Sequence, residues 1–306
     1  MRVAARVGGS TEFMKRASLN LFLAFTAMVF SVAARANPIC STLLLRVLEI
    51  SPKPQHADEA LFLDAFRAEV DERFAQLTPD QQMLLLKRVA STVFVPSETV
   101  LFDASRDGYM FFNENVKGAY LPLPAIFHEW VHAVDMVKRD TQPWPVRWLK
   151  MWFHFSDKAL EQSAYNAQYD LIQRMRSNPD HPRLVSDLIA REWKLDEEQR
   201  EFLHKFFTGL DRLSELPPGE RLASEEFEAF ALDEAEVQAF FSSLSNVQHG
   251  YFLHYGESFR YDRAEFLRIT LARYRTNFMI FRALATTRLG MGFVAIYAFY
   301  KAIMAS

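Results

Sequence analysis

From Ala125 to Val137 the chain contains neither Gly nor Pro, and Ile126, Phe127, Trp130, Val131, Ala133, Val134 and Val137 make the stretch apolar on nearly every side. A helix of that kind has to be buried, because none of its faces suits water. Pro122 and Pro124 stand just ahead of it, where proline is tolerated at a helix start. Yet His128, Glu129, His132 and Asp135 sit inside this apolar cylinder. Burying imidazoles and carboxylates is costly unless something satisfies them. Core histidines bonded to backbone carbonyls are one solution. A metal ion is the solution that accounts for all the polar groups at once. Residues four apart share a helical face, so the His128 and His132 rings can reach one ion with Glu129 beside it. That gives two ligands, an open coordination position and a carboxylate able to act as base for the water there.

The third ligand sets the subclass. Lys138 stands six residues after His132, where a metzincin carries its third His, so that class is excluded. The remaining common solution is a carboxylate on a second helix. Ser156 to Gln168 reads as such a helix, with Ser156 as N-cap and Asp157 in the positive first turn. Glu161 follows one turn in, and the small Ser163 and Ala164 would permit a close approach to the first helix. A solvated face also fits Glu161, and Asp135 and Asp170 are competing ligands. Asp135 is preferred as the acceptor for a ligand histidine's N–H, which such rings usually need.

Over about Tyr109 to Asp170 the chain resembles HExxH zinc metallopeptidases, the zincins. It is most similar to gluzincins, in which a Glu a few tens of residues after the His pair completes the site. The segment at Glu161 also resembles the Glu-x-x-Ala helix of many bacterial zinc peptidases. It departs from the thermolysin type at Tyr165, four after Glu161, where that pattern has Asp. The resemblance implies one zinc ion per chain, held by His128, His132 and Glu161, with Glu129 as general base in hydrolysis of a peptide or amide bond. It implies also a downstream His or Tyr that stabilises the developing oxyanion. His249, His254 and Tyr255 are the densest candidates, although an aromatic segment packing on the core reads equally well there.

The N-terminus implies export. Met14-Lys15-Arg16, the apolar run Leu19 to Ala34 and the ending Ala34-Arg35-Ala36 read as a secretory signal over residues 1–36, with translation starting at Met14 and cleavage after Ala36. A retained membrane anchor is the alternative, but the run is short for a span. A lone Cys40 in an exported chain forms no internal disulfide, so the fold must stand on its core. The expected workplace is the periplasm or cell envelope, or the medium outside. A composition 50% apolar and 24% charged suits a folded enzyme, while a net charge of −3 without a basic run argues against nucleic-acid binding. No Gly-rich phosphate loop is present.

The expected fold is α+β and predominantly helical, with a zincin-like catalytic core over 37–176, a small sheet, and a helical C-terminal part over 177–306 that completes the cleft. Helices are expected over Ala57 to Gln76 and Pro79 to Ala90, and strands at Val93 to Val95, Thr99 to Phe102 and Tyr109 to Phe112. Tyr109 to Phe112 is the candidate edge on which an extended substrate would pair. Chain breaks are expected at Ser177 to Pro182 and at Leu216 to Gly219. The acidic face of Ser224 to Phe240 and the later arginines read as solvated helix faces; the lesser readings are that they face each other within the fold, or that the basic stretch makes peripheral contact with anionic lipid or cell-wall polymer. Leu289 to Tyr300 is too short for a span, so no transmembrane segment is expected in the mature chain. Two function classes follow: an exported zinc metallopeptidase, or a non-enzymatic envelope binding protein on the same scaffold. A zinc amidase acting on peptidoglycan peptides is a variant of the first. The intact Glu129 favours an enzyme, since a pure binding site needs no base.

Overall fold

The computed structural model describes residues 38–96, 102–104, 109–143, 145, 157–215, 234–244, 248, 255, 258 and 261–273. The expected export signal, Ser156, His249, His254, the break at Leu216 to Gly219 and the segment Leu289 to Tyr300 lie outside them.

The described chain is mostly helical with a small sheet. Helix α1 (Ile39–Val47) buries Cys40, Leu44 and Leu45. Helices α2 (Ala57–Ala75) and α3 (Pro79–Ala90) follow. Thr78 starts α3 with a reciprocal cap: its side chain accepts from the Gln81 N–H, and Gln81 accepts from the Thr78 N–H. Strands β1 (Val93–Val95), β2 (Phe102–Ala104) and β3 (Met110–Asn113) then form a sheet of order β1-β3-β2, parallel between β1 and β3 and antiparallel between β2 and β3. This corrects the expectation that Tyr109 to Phe112 offers a free edge. Its strand is central, paired on both sides, and buried at Met110, Phe111, Phe112 and Asn113. A strand apolar at successive positions belongs in the middle of a sheet rather than at a solvated edge. The outer strands are β1 and β2, and β2 lies against the helix that carries the histidines.

That helix is α4 (Leu123–Asp140), followed by α5 (Asp157–Arg176), α6 (His181–Trp193), α7 (Glu197–Glu215) and α8 (Glu234–Ser243). Its burial is as the sequence requires: Ile126, Phe127, Trp130, Val131, Ala133, Val134 and Val137 are all sequestered. Phe127 stacks on Trp130 with centroids 5.7 Å apart and takes Phe66 of α2 edge-on at 6.2 Å. Fully burying each such ring stabilises the fold by about 2–3 kcal/mol. Pro122, the N-cap, supplies no capping side chain. The approach to α4 is held instead by Glu192 of α6, whose carboxylate accepts the Tyr120 N–H at 2.7 Å and the Leu121 N–H at 3.3 Å. Just upstream, Gly118 adopts φ +73°, a conformation glycine takes without strain, and donates its N–H to Leu48 at 2.9 Å.

Helix α2 packs on α4, α5 and α6, and α6 packs in turn on α7. One apolar cluster runs from Leu44 through Phe62, Phe127 and Ile172 to Leu203 and Phe207. Among the described residues no helix is long and apolar enough to cross a membrane.

Candidate metal centre

Helices α4 and α5 lie against each other, and Ala164 and Ala167 of α5 are wholly buried. Ala164 follows Glu161 by three residues and so shares its face, where a small side chain lets the two backbones approach. The approach brings together His128, His132 and Glu161. The Nε2 atoms of the two histidines are 3.2 Å apart. Glu161 Oε2 lies 3.2 Å from His128 Nε2, and Oε1 lies 3.5 Å from His132 Nε2. Both histidines are 7% exposed. Ligand atoms of His128, Glu129 and His132 all fall within 4.8 Å of one another.

These separations test whether the residues suit a metal. Ligands bound to zinc at about 2.0–2.1 Å in a tetrahedron are about 3.3 Å apart along each edge. The Nε2–Nε2 edge is 3.2 Å, and the Glu161 carboxylate approaches the two nitrogens at 3.2 and 3.5 Å through its separate oxygens Oε2 and Oε1. Protons alone satisfy this arrangement poorly: if both Nε2 atoms donate to Glu161, two N–H groups crowd each other across 3.2 Å. One cation at the centre satisfies all three. His128, Glu129 and His132 form a buried group that could hold a metal ion, with Glu161 placed against both rings.

The electrostatics point the same way. Burial opposes protonation of His132, but its bond to Glu161 and the charges of Glu129, Glu161 and Asp135 outweigh that and raise its pKa. Burial would raise the Glu161 pKa, yet bonding to the two histidines and their charge bring it down to about 2. A ring that holds its proton more tightly than free imidazole, beside a carboxylate that resists protonation, marks a place where positive charge is favoured.

Asp135 is pushed up by burial and accepts a hydrogen bond from Ser163 of α5; its charge acts on His132. Asp170 is placed elsewhere, engaged by Arg73 at 3.6 Å and by Arg263. Tyr255 is placed at the far end of α5. It is buried, stacks on Phe62 at 6.1 Å, and its hydroxyl lies 3.2 Å from His181 Nε2. Arg176 and Asp211 act on that hydroxyl, and Arg176 stands ~22 Å along α5 from Glu161 at the helical rise per residue. Tyr255 is thus not brought to the metal-ligand group. His249 and His254 lie outside the described residues.

One neighbour was missed as such from sequence: Tyr165 of α5, whose ring meets His128 with centroids 4.4 Å apart and planes at 64°. Its spacing of four from Glu161 was the available signal, and it read only as a departure from a family pattern.

Comparison with known proteins adds no family to this description. No protein-family model matches the chain, and neither a curated protein nor a solved structure does. What fold and site define is a class: a predominantly helical α+β protein with a buried His-Glu-His group fit for a metal ion.

Proposed function

We propose that the chain is an exported zinc-dependent metallopeptidase, with His128, His132 and Glu161 as zinc ligands and Glu129 as the general base. The observation that carries this reading is the convergence of two imidazole nitrogens, 3.2 Å apart, on the Glu161 carboxylate, whose Oε2 lies 3.2 Å from His128 and Oε1 3.5 Å from His132, with the Glu129 carboxylate beside them. Zinc bound there supplies Lewis acidity, activating water and polarising a carbonyl. Glu129 follows His128 directly, so its side chain leaves the helix at a different angle from the two rings and remains available for proton transfer. It takes the proton of the attacking water and hands it to the departing amine. Burial in an apolar helix holds His128 and His132 in place before any substrate arrives.

Metal analysis of the purified mature chain should find about one zinc per molecule. Glu129→Gln should keep that zinc while hydrolysis of an unfolded protein substrate such as casein falls at least ~100-fold, the usual loss with a general base. Equal activity in the variant removes the peptidase reading, and zinc absent from both the isolated and the zinc-reconstituted chain removes the site.

A further inference from the structure

His128 presents a problem that His132 does not. With Nε2 facing Glu161, the ring's other nitrogen, Nδ1, is buried and meets no hydrogen-bonding partner among the described residues. A ligating histidine normally donates this N–H to an acceptor that fixes the plane of the ring. Here the ring meets two others instead: His132 at 4.8 Å and 82°, and Tyr165 at 4.4 Å and 64°.

Tyr165 is itself backed. Phe266, fully buried, stands edge-on to it at 6.3 Å and also packs on Tyr169 at 5.4 Å. The helical segment 263–273 that carries Phe266 is fastened along α5 by polar contacts. The Tyr169 hydroxyl donates to the Tyr261 carbonyl at 3.3 Å, Gln173 Nε2 donates to the Ser258 carbonyl at 2.9 Å, and Arg263 pairs with Asp170. Glu265 accepts at 2.7 Å from Arg268 one turn on, which keeps those charges on the outer side.

We infer that Tyr165 is the positioning residue for His128, acting through its ring in the place of a hydrogen-bonded acceptor, and that Phe266 of the C-terminal segment sets Tyr165. The inference rests on the proposed metal site and names what keeps one of its ligands in register. An imidazole without an acceptor is free to rock about its Cβ–Cγ bond, and every rotation moves Nε2 off the point shared with His132 and Glu161. Close contact with the Tyr165 ring restrains that rocking. Coupling to 263–273 follows, because loosening Phe266 opens room behind Tyr165.

Cobalt(II) titration of the full mature chain, read by d–d absorption and by competition with a chelator, tests this. Tyr165→Leu should weaken cobalt binding ~10-fold or more, the scale of losing a supporting contact to a ligand. Tyr165→Phe, which keeps the ring, should bind within about twofold of wild type, and Phe266→Leu should weaken binding several-fold, all on that same scale. Phe202→Leu, on α7, where that ring packs on Phe206 at 6.3 Å and on Phe240 of α8 at 4.6 Å, should leave binding unaltered. Wild-type affinity in Tyr165→Leu overturns the inference, as does an equal loss in Tyr165→Phe or in Phe202→Leu. If Tyr165→Leu does not fold, Phe266→Leu decides alone, and unchanged affinity there overturns it. Absence of cobalt binding by wild type instead removes the metal site itself, a distinguishable result.

Discussion

His181 gives the fold a calculable sensitivity to acid. It opens α6, is fully buried, and faces the Tyr255 hydroxyl through Nε2 at 3.2 Å. Burial, reinforced by the positive charge of Arg176, lowers its pKa from 6.5 to about 3. Asp211 Oδ2 stands 3.9 Å from Nδ1, too far for a hydrogen bond, and Asp211 is already engaged by Arg176 at 3.1 Å. The folded state therefore holds the neutral ring, whereas the unfolded chain takes up a proton as pH falls through about 6.5. Stability from this group is complete above that value and is lost as pH falls toward about 3. Each unit between the two corresponds to about 1.4 kcal/mol, so about 2 kcal/mol is gone at pH 5 and about 5 kcal/mol at the lower limit. Against a total of 5–15 kcal/mol for a typical domain, that is a large share.

Urea unfolding at pH 7.5, 6 and 5 on wild type and His181→Gln isolates the effect. Glutamine cannot titrate in this range but can still meet the Tyr255 hydroxyl. The variant should start less stable at pH 7.5, because a cut-down side chain leaves space in a filled site, and should lose about 2 kcal/mol less than wild type between pH 7.5 and 5. Parallel pH profiles for the two proteins would refute the reasoning, since the acid sensitivity would then belong to other groups.

Glu161→Ala should lose stoichiometric zinc in equilibrium dialysis, while Asp135→Ala should keep the stoichiometry and weaken affinity about 10–100-fold, as expected of a residue that supports a ligand; the reverse order would exchange their roles. Ala164→Leu should separate α5 from α4, costing about 1–3 kcal/mol by thermal unfolding and reducing zinc affinity with it; retained affinity would show that the helices need no close approach there. Asp140→Ala should cost about 2–3 kcal/mol in urea, because Arg88, 6% exposed, is left as a buried charge without this partner. Burial raises the Asp140 pKa, but Arg139 and Arg88 bring it below the ordinary carboxylate value, so this contribution is present at neutral pH and is lost only as pH falls below about 4.

How much of this could be read in advance follows from how local each signal is. Helix α4 was legible because burial, periodicity and polar intrusion coincide within one stretch, and α3 because Thr78, Pro79 and Gln81 spell a cap within four residues. Glu161 was legible as a candidate only through the small residues after it and a family likeness, since nothing local says which helix it faces. The sheet departs from expectation in β2, which runs Phe102–Ala104 rather than ending at Phe102, and in β3, which is central because β2 folds back on it and β1 runs parallel; such pairing is a long-range outcome. Glu192 at the head of α4 and Phe266 behind Tyr165 were invisible for the same reason, each being brought in from more than seventy residues away.

The charge balance of the centre explains why a cation belongs there energetically as well as geometrically. With Glu129, Glu161 and Asp135 ionised and both imidazoles neutral, three negative charges sit on or beside the mostly apolar stretch Ala125 to Val137. Lys138 and Arg73 offset part of this at Asp135, and Asp135 is the carboxylate whose pKa burial raises. Glu161 has no such outlet, because its pKa is driven down rather than up. Its compensation without a metal has to come from protonating a histidine, which is what the raised pKa of His132 expresses. A divalent ion held by the same side chains would replace that proton and supply twice the charge. Metal binding should therefore stabilise the fold by mass action, about 3 kcal/mol at a hundredfold excess over the dissociation constant. On the proposed reading, the buried polar cluster in α4 is a cost that a bound ion would offset.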